Sequence, residues 1–291
     1  MTARWTALRP RRAAAGAAAM ATTDTGAGRR ARRWGLLGAV LGLLVGVVAF
    51  MPAAWLARGI ASATDQHVLF TQTRGTVWSG SALPVLTAGP ESRTALALPG
   101  RLEWLLHWRG LSLELQLRQP CCLAAPLVVQ LRPGFGQTTV TLLPPANGGL
   151  VGQWPAAWLA GLGTPWNAVQ LSGTLRLRTP GLTVEQVAGR TRFTGEATLE
   201  LTHVATPLAP IDTLGSYQVV LRGDAASGNA STITLTTLEG ALQASGEGQW
   251  GEGRLRFRGE LRAVDGQEGA LSNLLNIVGR RQGALSVISI G

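Results

Sequence analysis

Three histidines, His67, His107 and His203, stand apart along the chain. None has a histidine or cysteine partner three or four residues away, and none sits in a carboxylate cluster. Zinc needs nitrogen and sulfur ligands gathered at short spacing, so no metal site is expected. A phosphate-binding Walker loop and a G-x-S-x-G nucleophile elbow are both missing, which removes the commonest signatures of nucleotide and acyl-transfer chemistry. Glu247, Glu252 and Glu260 are spread among arginines on strand-like segments. They read as solvated charge on the wet face of a sheet, with a paired-carboxylate hydrolase as the alternative. Cys121 and Cys122 are the only cysteines. Adjacent cysteines close a ring well short of the usual Cα separation, so two free or partly buried thiols are expected, with a cystine as the alternative. Arg254, Arg256, Arg258 and Arg262 form a basic row suited to anionic lipid or an acidic partner, unless the nearby glutamates neutralise it. The expectation is therefore a protein without catalytic, metal-binding or cofactor-binding residues.

The scaffold behind these residues begins with charge. The chain has 291 residues and a net charge of +10, and all 26 basic residues are Arg. Eight of them precede residue 34, against one acid there, Asp24. With Arg58 also set aside, 17 Arg face 15 acids from residue 59 onward. The basicity belongs to a tail. The body lacks the broad basic face that phosphate backbones require, so no nucleic-acid partner is expected.

After the tail comes WGLLGAVLGLLVGVVAFMPAAW, residues 34–55, with no charge inside. As a helix, this stretch is roughly 33 Å long, and a hydrocarbon core is about 30 Å thick. A Trp at each end suits the two interfaces, and the arginine excess before it places the amino terminus in the cytoplasm. A cleaved signal peptide would have a shorter apolar core and a small-x-small site, which Ala57-Arg58-Gly59 supplies poorly. The sequence thus reads as a disordered Arg/Ala-rich cytoplasmic tail (1–33, with Met20 as an alternative start), a retained single-pass membrane helix (34–57) and a periplasmic domain (58–291). Gly38, Gly42 and Gly46 fall every fourth residue. They would line one helical face and let a second copy approach closely as a homo-oligomer, although glycine is also simply common in membrane helices.

Period-two alternation dominates the outer part. Leu175 and Leu177 alternate with Arg176 and Arg178. Phe193, Ala197, Leu199 and Leu201 alternate with Thr and Glu, and Leu255, Phe257 and Leu261 alternate with the arginine row. Residues 111–118 repeat the pattern. Each run has one dry and one wet face, the mark of antiparallel sheet. Pro99-Gly100, Arg109-Gly110, Pro133-Gly134 and Pro180-Gly181 read as turns. Helix is scarce: a short turn over 155–161, and a segment in which Leu271, Leu274, Leu275 and Val278 have helical spacing before Gly279, a candidate C-terminal cap. A last strand is expected over 284–290. The fold class is all-β, a mainly antiparallel, curled or groove-like sheet with one or two short helices.

Gly75 and Gly80 bracket Val77, Trp78 and Ser79. In an alternating run with small neighbours, Trp78 is expected to pack inward as a core plug, with Ser79 and Ser81 on the wet face.

A tail, one membrane helix and then GTVWSGSA some twenty residues on resembles protein N of the bacterial type II secretion system, the general secretion pathway protein N family. GTPWNAVQLSGTLRL (163–177) and NLLNIVGRRQG (273–283) are similar to the family's central and carboxyl-terminal segments. The resemblance covers roughly residue 34 to the end. The Arg/Ala extension and the Cys121-Cys122 pair depart from the family pattern. The resemblance implies an inner-membrane accessory component supporting export of folded proteins from the periplasm across the outer membrane. Its partners would be other secretion components and inner-membrane lipid. No catalytic residues are implied. The alternative is an AsmA-like envelope protein that handles lipid in an apolar β-groove.

Overall fold

The structure is a computed structural model that describes residues 27–92, 94–164, 166–187, 190–223, 231–251 and 254–291. The chain divides into two units, Met1–Ala49 and Phe50–Gly291.

The first unit contains helix α1 (Ala27–Ala49). Its segment Arg32–Ala49, of mean hydropathy 1.5, is the one helix among the described residues long and apolar enough to cross a membrane. The helix starts earlier than the sequence suggested. The segment AGRRARR is helical because Ala and Arg are strong helix formers, so the expected tail over 1–33 loses its last turns. The rest of that tail, including Met20, lies outside the described residues. The helix also ends earlier. The stretch read as one helix over 34–57 is two, because α2 (Ala53–Ala63) begins after a break at Pro52. Proline lacks an N–H and pushes the residue before it out of the α region, so the first helix stops short of it. Pro52 itself is extended, at φ −64° and ψ 144°, and occupies the N-cap position of α2. The 23 residues of α1 still span roughly 34 Å.

Among the described residues, the second unit forms a sheet of sixteen strands. They are β1 (Val68–Gly75), β2 (Ser79–Thr87), β3 (Ala95–Ala97), β4 (Leu102–Arg109), β5 (Ser112–Arg118), β6 (Leu127–Gly134), β7 (Gln137–Leu142), β8 (Leu150–Pro155), β9 (Ser172–Val187), β10 (Arg190–Ala205), β11 (Gly215–Gly223), β12 (Ser231–Glu239), β13 (Leu242–Gly251), β14 (Arg254–Ala263), β15 (Arg280–Gln282) and β16 (Leu285–Ile290). All pairings are antiparallel. The ladder runs β1-β2-β4-β5-β6-β7-β9-β10-β11-β12-β13-β14-β16-β15, with β3 on β2 and β8 on β9. Its two ends do not meet, so the sheet is open. This is the all-β, antiparallel architecture that the alternation required.

Pro180-Gly181, expected as a turn, lies inside β9. The register against β10 slips there, between Glu196 and Thr198. A bulge tolerates a residue without an N–H and bends the strand. The bend lets β9 change partner: residues 174–178 pair β8, and residues 182–187 pair β7.

Two apolar clusters sit on the dry face. Ala53 and Leu56 of α2 pack with Phe70, Ala82, Trp104, Leu115 and Leu117. In the carboxyl-terminal half, helix α4 (Glu268–Val278) buries Leu271, Leu274 and Leu275 against Tyr217, Leu242, Ala244 and Leu261. The 155–161 turn is a 3₁₀ helix, Ala156–Leu162, followed by the short α3 (Trp166–Val169). Among the described residues the sheet unit thus holds more short helical pieces than the one or two expected, and α2 and α4 each cover one apolar cluster. Gly279 is not a left-handed cap: its φ is −155°. Ser286 Oγ instead donates to the Leu275 carbonyl at 2.8 Å, satisfying one orphan carbonyl of α4. A Cβ on Gly279 would lie 2.6 Å from that same Oγ.

Candidate functional site

The glycine-bracketed Trp stretch is where the structure departs most from expectation. Trp78 is not in a strand. It lies in the 76–78 turn between β1 and β2 and is half-buried. The buried indole is that of Trp104 on β4, 4% exposed. Gly75 and Gly80 are directly opposed across the β1–β2 ladder. Gly80 also faces Trp104 across the β2–β4 ladder, and a Cβ there would come within 2.6 Å of the indole Cζ2. Gly75 has φ +85°, and its Cβ would collide with the Ser79 carbonyl. Gly80 therefore clears space for Trp104, and Gly75 tightens the turn. They do not seat Trp78.

The turn also supplies what a buried indole N–H needs. Trp104 Nε1 donates to the carbonyls of Thr76, at 3.2 Å, and Val77, at 3.1 Å. Phe70 stacks on the indole with ring centroids 6.3 Å apart. The Val77 N–H donates to the Met51 carbonyl at 2.9 Å, and Leu106 N–H donates to the Trp78 carbonyl at 2.7 Å. Ser79 is exposed and Ser81 half-buried. The motif Gly75, Val77, Trp78, Ser79 and Gly80 thus fastens β4 and the start of the sheet to the segment that arrives from α1. The signal that could have found Trp104 is its alternation with Leu106 and Trp108, which puts it on the dry face.

The histidines are separated in sequence but not all are isolated in space. His107 Nε2 lies 3.6 Å from Glu114 Oε1 on the neighbouring strand. Arg109 Nη1 contacts Glu114 Oε2 at 3.1 Å, and Gln116 Nε2 donates to Glu114 Oε1 at 3.1 Å. The Glu114 side chain is almost fully covered by these neighbours. Its pKa is held below the ordinary carboxylate value, first by the Gln116 hydrogen bond and then by Arg109. His67 Nδ1 bonds the Thr64 carbonyl at 2.9 Å, and His203 sits at positive φ beside a register shift in β10. Among the described residues, no group of three or more His, Cys, Asp or Glu could hold a metal ion.

Cys121 and Cys122 are joined in a disulfide, not present as the free thiols expected, with Cα atoms 3.7 Å apart. The usual separation is a preference, and tight backbone bonding in this loop brings the two sulfurs together. Cys122 and Leu123 N–H both donate to the Gln119 carbonyl, and the Cys122 carbonyl accepts from Gln153 of β8. Cys121 Sγ packs against Pro99 and Gly100. The pair lines a recess of about 600 Å³ with Leu123, Trp154 and Thr174.

Arg256, Arg258 and Arg262 project from the exposed side of β14. Arg258 stands opposite Glu247, and Arg262 Nε donates to Gln243. Glu252 lies outside the described residues. Gly38, Gly42 and Gly46 lie at four-residue spacing along α1, and no atom comes within 4 Å of a Cβ built on any of them.

Between the two apolar clusters the dry face stays partly open. Leu113, Leu131, Val140, Val184 and Phe193 form one cross-strand row, and all are half-buried. Phe193 meets Trp250 edge-on.

No curated protein and no solved structure matches the chain significantly. The family model for type II secretion system protein N matches residues 66–287, the sheet from the loop before β1 into β16. With more than two thirds of its length inside that match, the chain belongs to the type II secretion system protein N family.

Proposed function

We propose that this type II secretion component is a non-catalytic accessory protein of the inner membrane. Its single helix crosses the bilayer with the amino terminus in the cytoplasm, and its sheet works in the periplasm through contacts with other secretion components. The observation that carries this reading is the combination of the family match over 66–287 with one flanking helix of membrane-spanning length. The orientation follows from eight arginines before residue 34.

The open ladder supplies a mode of contact. Edge strands offer unpaired backbone groups to a partner strand. The two edges are unequal. β15 is three exposed residues, two of them Arg, which blunts it. β1 is eight residues long, and its register places the Phe70 N–H and carbonyl on the free side. A partner strand would add along β1. Two copies would pair through the Gly38, Gly42 and Gly46 face of α1. The lipid-handling alternative gains nothing from the family match.

A photoreactive side chain at Gln72 on the β1 edge tests the contact, with Leu238 as the control position. Cross-links from Gln72 to an inner-membrane secretion component, together with lost export in a deletion strain, are expected. Intact export and no cross-link would overturn the reading. Gly42→Leu is expected to abolish any helix-mediated dimer in detergent.

A further inference from the structure

Two hairpin tips break the usual chemistry of turns. Turn apices favour Gly, Asn, Asp and Ser. The β4–β5 apex is Gly110-Leu111 and the β6–β7 apex is Phe135-Gly136, with φ +63° and +74° at the glycines. Leu111 is 93% exposed and Phe135 fully so. An isolated exposed apolar residue needs no explanation. These two share one long edge of the sheet, as the ladder register shows. Trp108, Leu113 and Leu131 lie on one rung, and the tips stand beyond it on the same side.

The chain enters the sheet unit at that same edge. Pro52 bridges Thr76, and Met51 accepts from Val77. The 76–78 turn in turn contacts Leu106, three residues, or roughly 10 Å, from the Arg109 shoulder. Phe50, the first residue of the unit, is 79% exposed. Whatever the course of α1, its last residue is bonded to Phe50, so a membrane that receives α1 begins near this edge. The shoulders are basic. Arg109 and Arg132 are exposed there, whereas the one carboxylate on β5, Glu114, is covered and already held by Arg109.

We propose that this edge rests on the anionic bilayer into which α1 inserts. Leu111 and Phe135 dip into the interfacial layer, and Arg132 meets lipid phosphate. Aromatic and aliphatic side chains flanked by arginine are the combination that partitions into a headgroup layer and is strengthened by negative lipid. The tethered sheet would then stand with one edge on the membrane and its opposite edge, at the β12–β13 turn, pointing away. The proposal rests on the reading of α1 as a membrane helix.

The test uses the full chain in phosphatidylcholine vesicles with or without phosphatidylglycerol. Leu111→Cys, Phe135→Cys and, on the opposite edge, Leu238→Cys are labelled with a polarity-sensitive dye without reductant, since Cys121 and Cys122 are joined. Lipid-borne nitroxides are expected to quench positions 111 and 135 but not 238, and only with phosphatidylglycerol present. Arg132→Gln should lower the bound-to-free ratio of the tip about fivefold. Unquenched tips on a chain that resists carbonate extraction would overturn the proposal and leave the anchor reading standing. A chain that carbonate extracts would overturn both. Equal quenching without phosphatidylglycerol would overturn the anionic contact. Labels shielded from lipid and aqueous quenchers alike would show a protein occupant and overturn it as well.

Discussion

Replacing Trp104 by Ala tests the reassignment of the core tryptophan. A tryptophan removes about 150–250 Å² from water when buried. At about 25 cal/mol per Å² that is roughly 4–6 kcal/mol. This is an upper figure, because the unfolded chain already covers some surface. Truncations of this kind in cores cost about 3–5 kcal/mol. Since Trp104 is 4% exposed and stacked on Phe70, Trp104→Ala is expected to cost about 4 kcal/mol. Trp104→Phe keeps an aromatic ring but leaves the Thr76 and Val77 carbonyls without the indole donor, for a loss of about 1–2 kcal/mol. Trp78→Ala, in a half-buried turn position, is expected to cost well under half as much as Trp104→Ala. The assay is urea unfolding of the full chain in detergent micelles, followed by far-ultraviolet circular dichroism. Fluorescence would average ten tryptophans. A Trp78→Ala chain as destabilised as Trp104→Ala, or more so, would refute the reasoning.

Gly80→Ala should cost about 1–3 kcal/mol in the same assay, because its Cβ falls 2.6 Å from the Trp104 ring and has no room to retreat. Tyr217 is the only tyrosine, and burial raises its pKa well above the ordinary 10.0. A raised acid pKa means its contribution is full below the unfolded-state value and lost as pH rises beyond it. Ultraviolet absorbance should therefore show no phenolate until the chain unfolds in alkali, and titration near pH 10 with the fold intact would contradict this. Tyr217→Phe removes the donor to the Leu242 carbonyl and should cost about 1 kcal/mol in urea unfolding. Glu114 has the opposite sign. Its lowered pKa gives stability that is present above the ordinary carboxylate value and lost as pH falls. Glu114→Gln should flatten the acid limb of the stability profile, and an unchanged limb would show that the Gln116 and Arg109 contacts do not hold the charge.

The sequence by itself determined the local grammar. An apolar run flanked by arginines makes a helix of membrane length. Alternation at Leu175/Leu177, Phe193/Ala197 and Leu255/Phe257 makes antiparallel strands, since period two puts one face in the core. Leu271, Leu274 and Leu275 make a helix for the same kind of reason. The order of GTVWSGSA, its central segment and NLLNIVGRRQG was enough to indicate the family. What tertiary structure decided were relations between residues far apart in the chain. Trp104 claims the space that Gly80 leaves, because register sets β2 beside it. His107 and Glu114 meet because two strands pair across a hairpin. Pro180-Gly181 becomes a bulge because β9 has partners on both sides of it. Cys121 and Cys122 close on each other because backbone bonds from Gln119 and Gln153 shape their loop. A spacing rule acts over a few residues, whereas register, packing volume and the placing of two apolar hairpin tips on one edge are properties of the whole ladder.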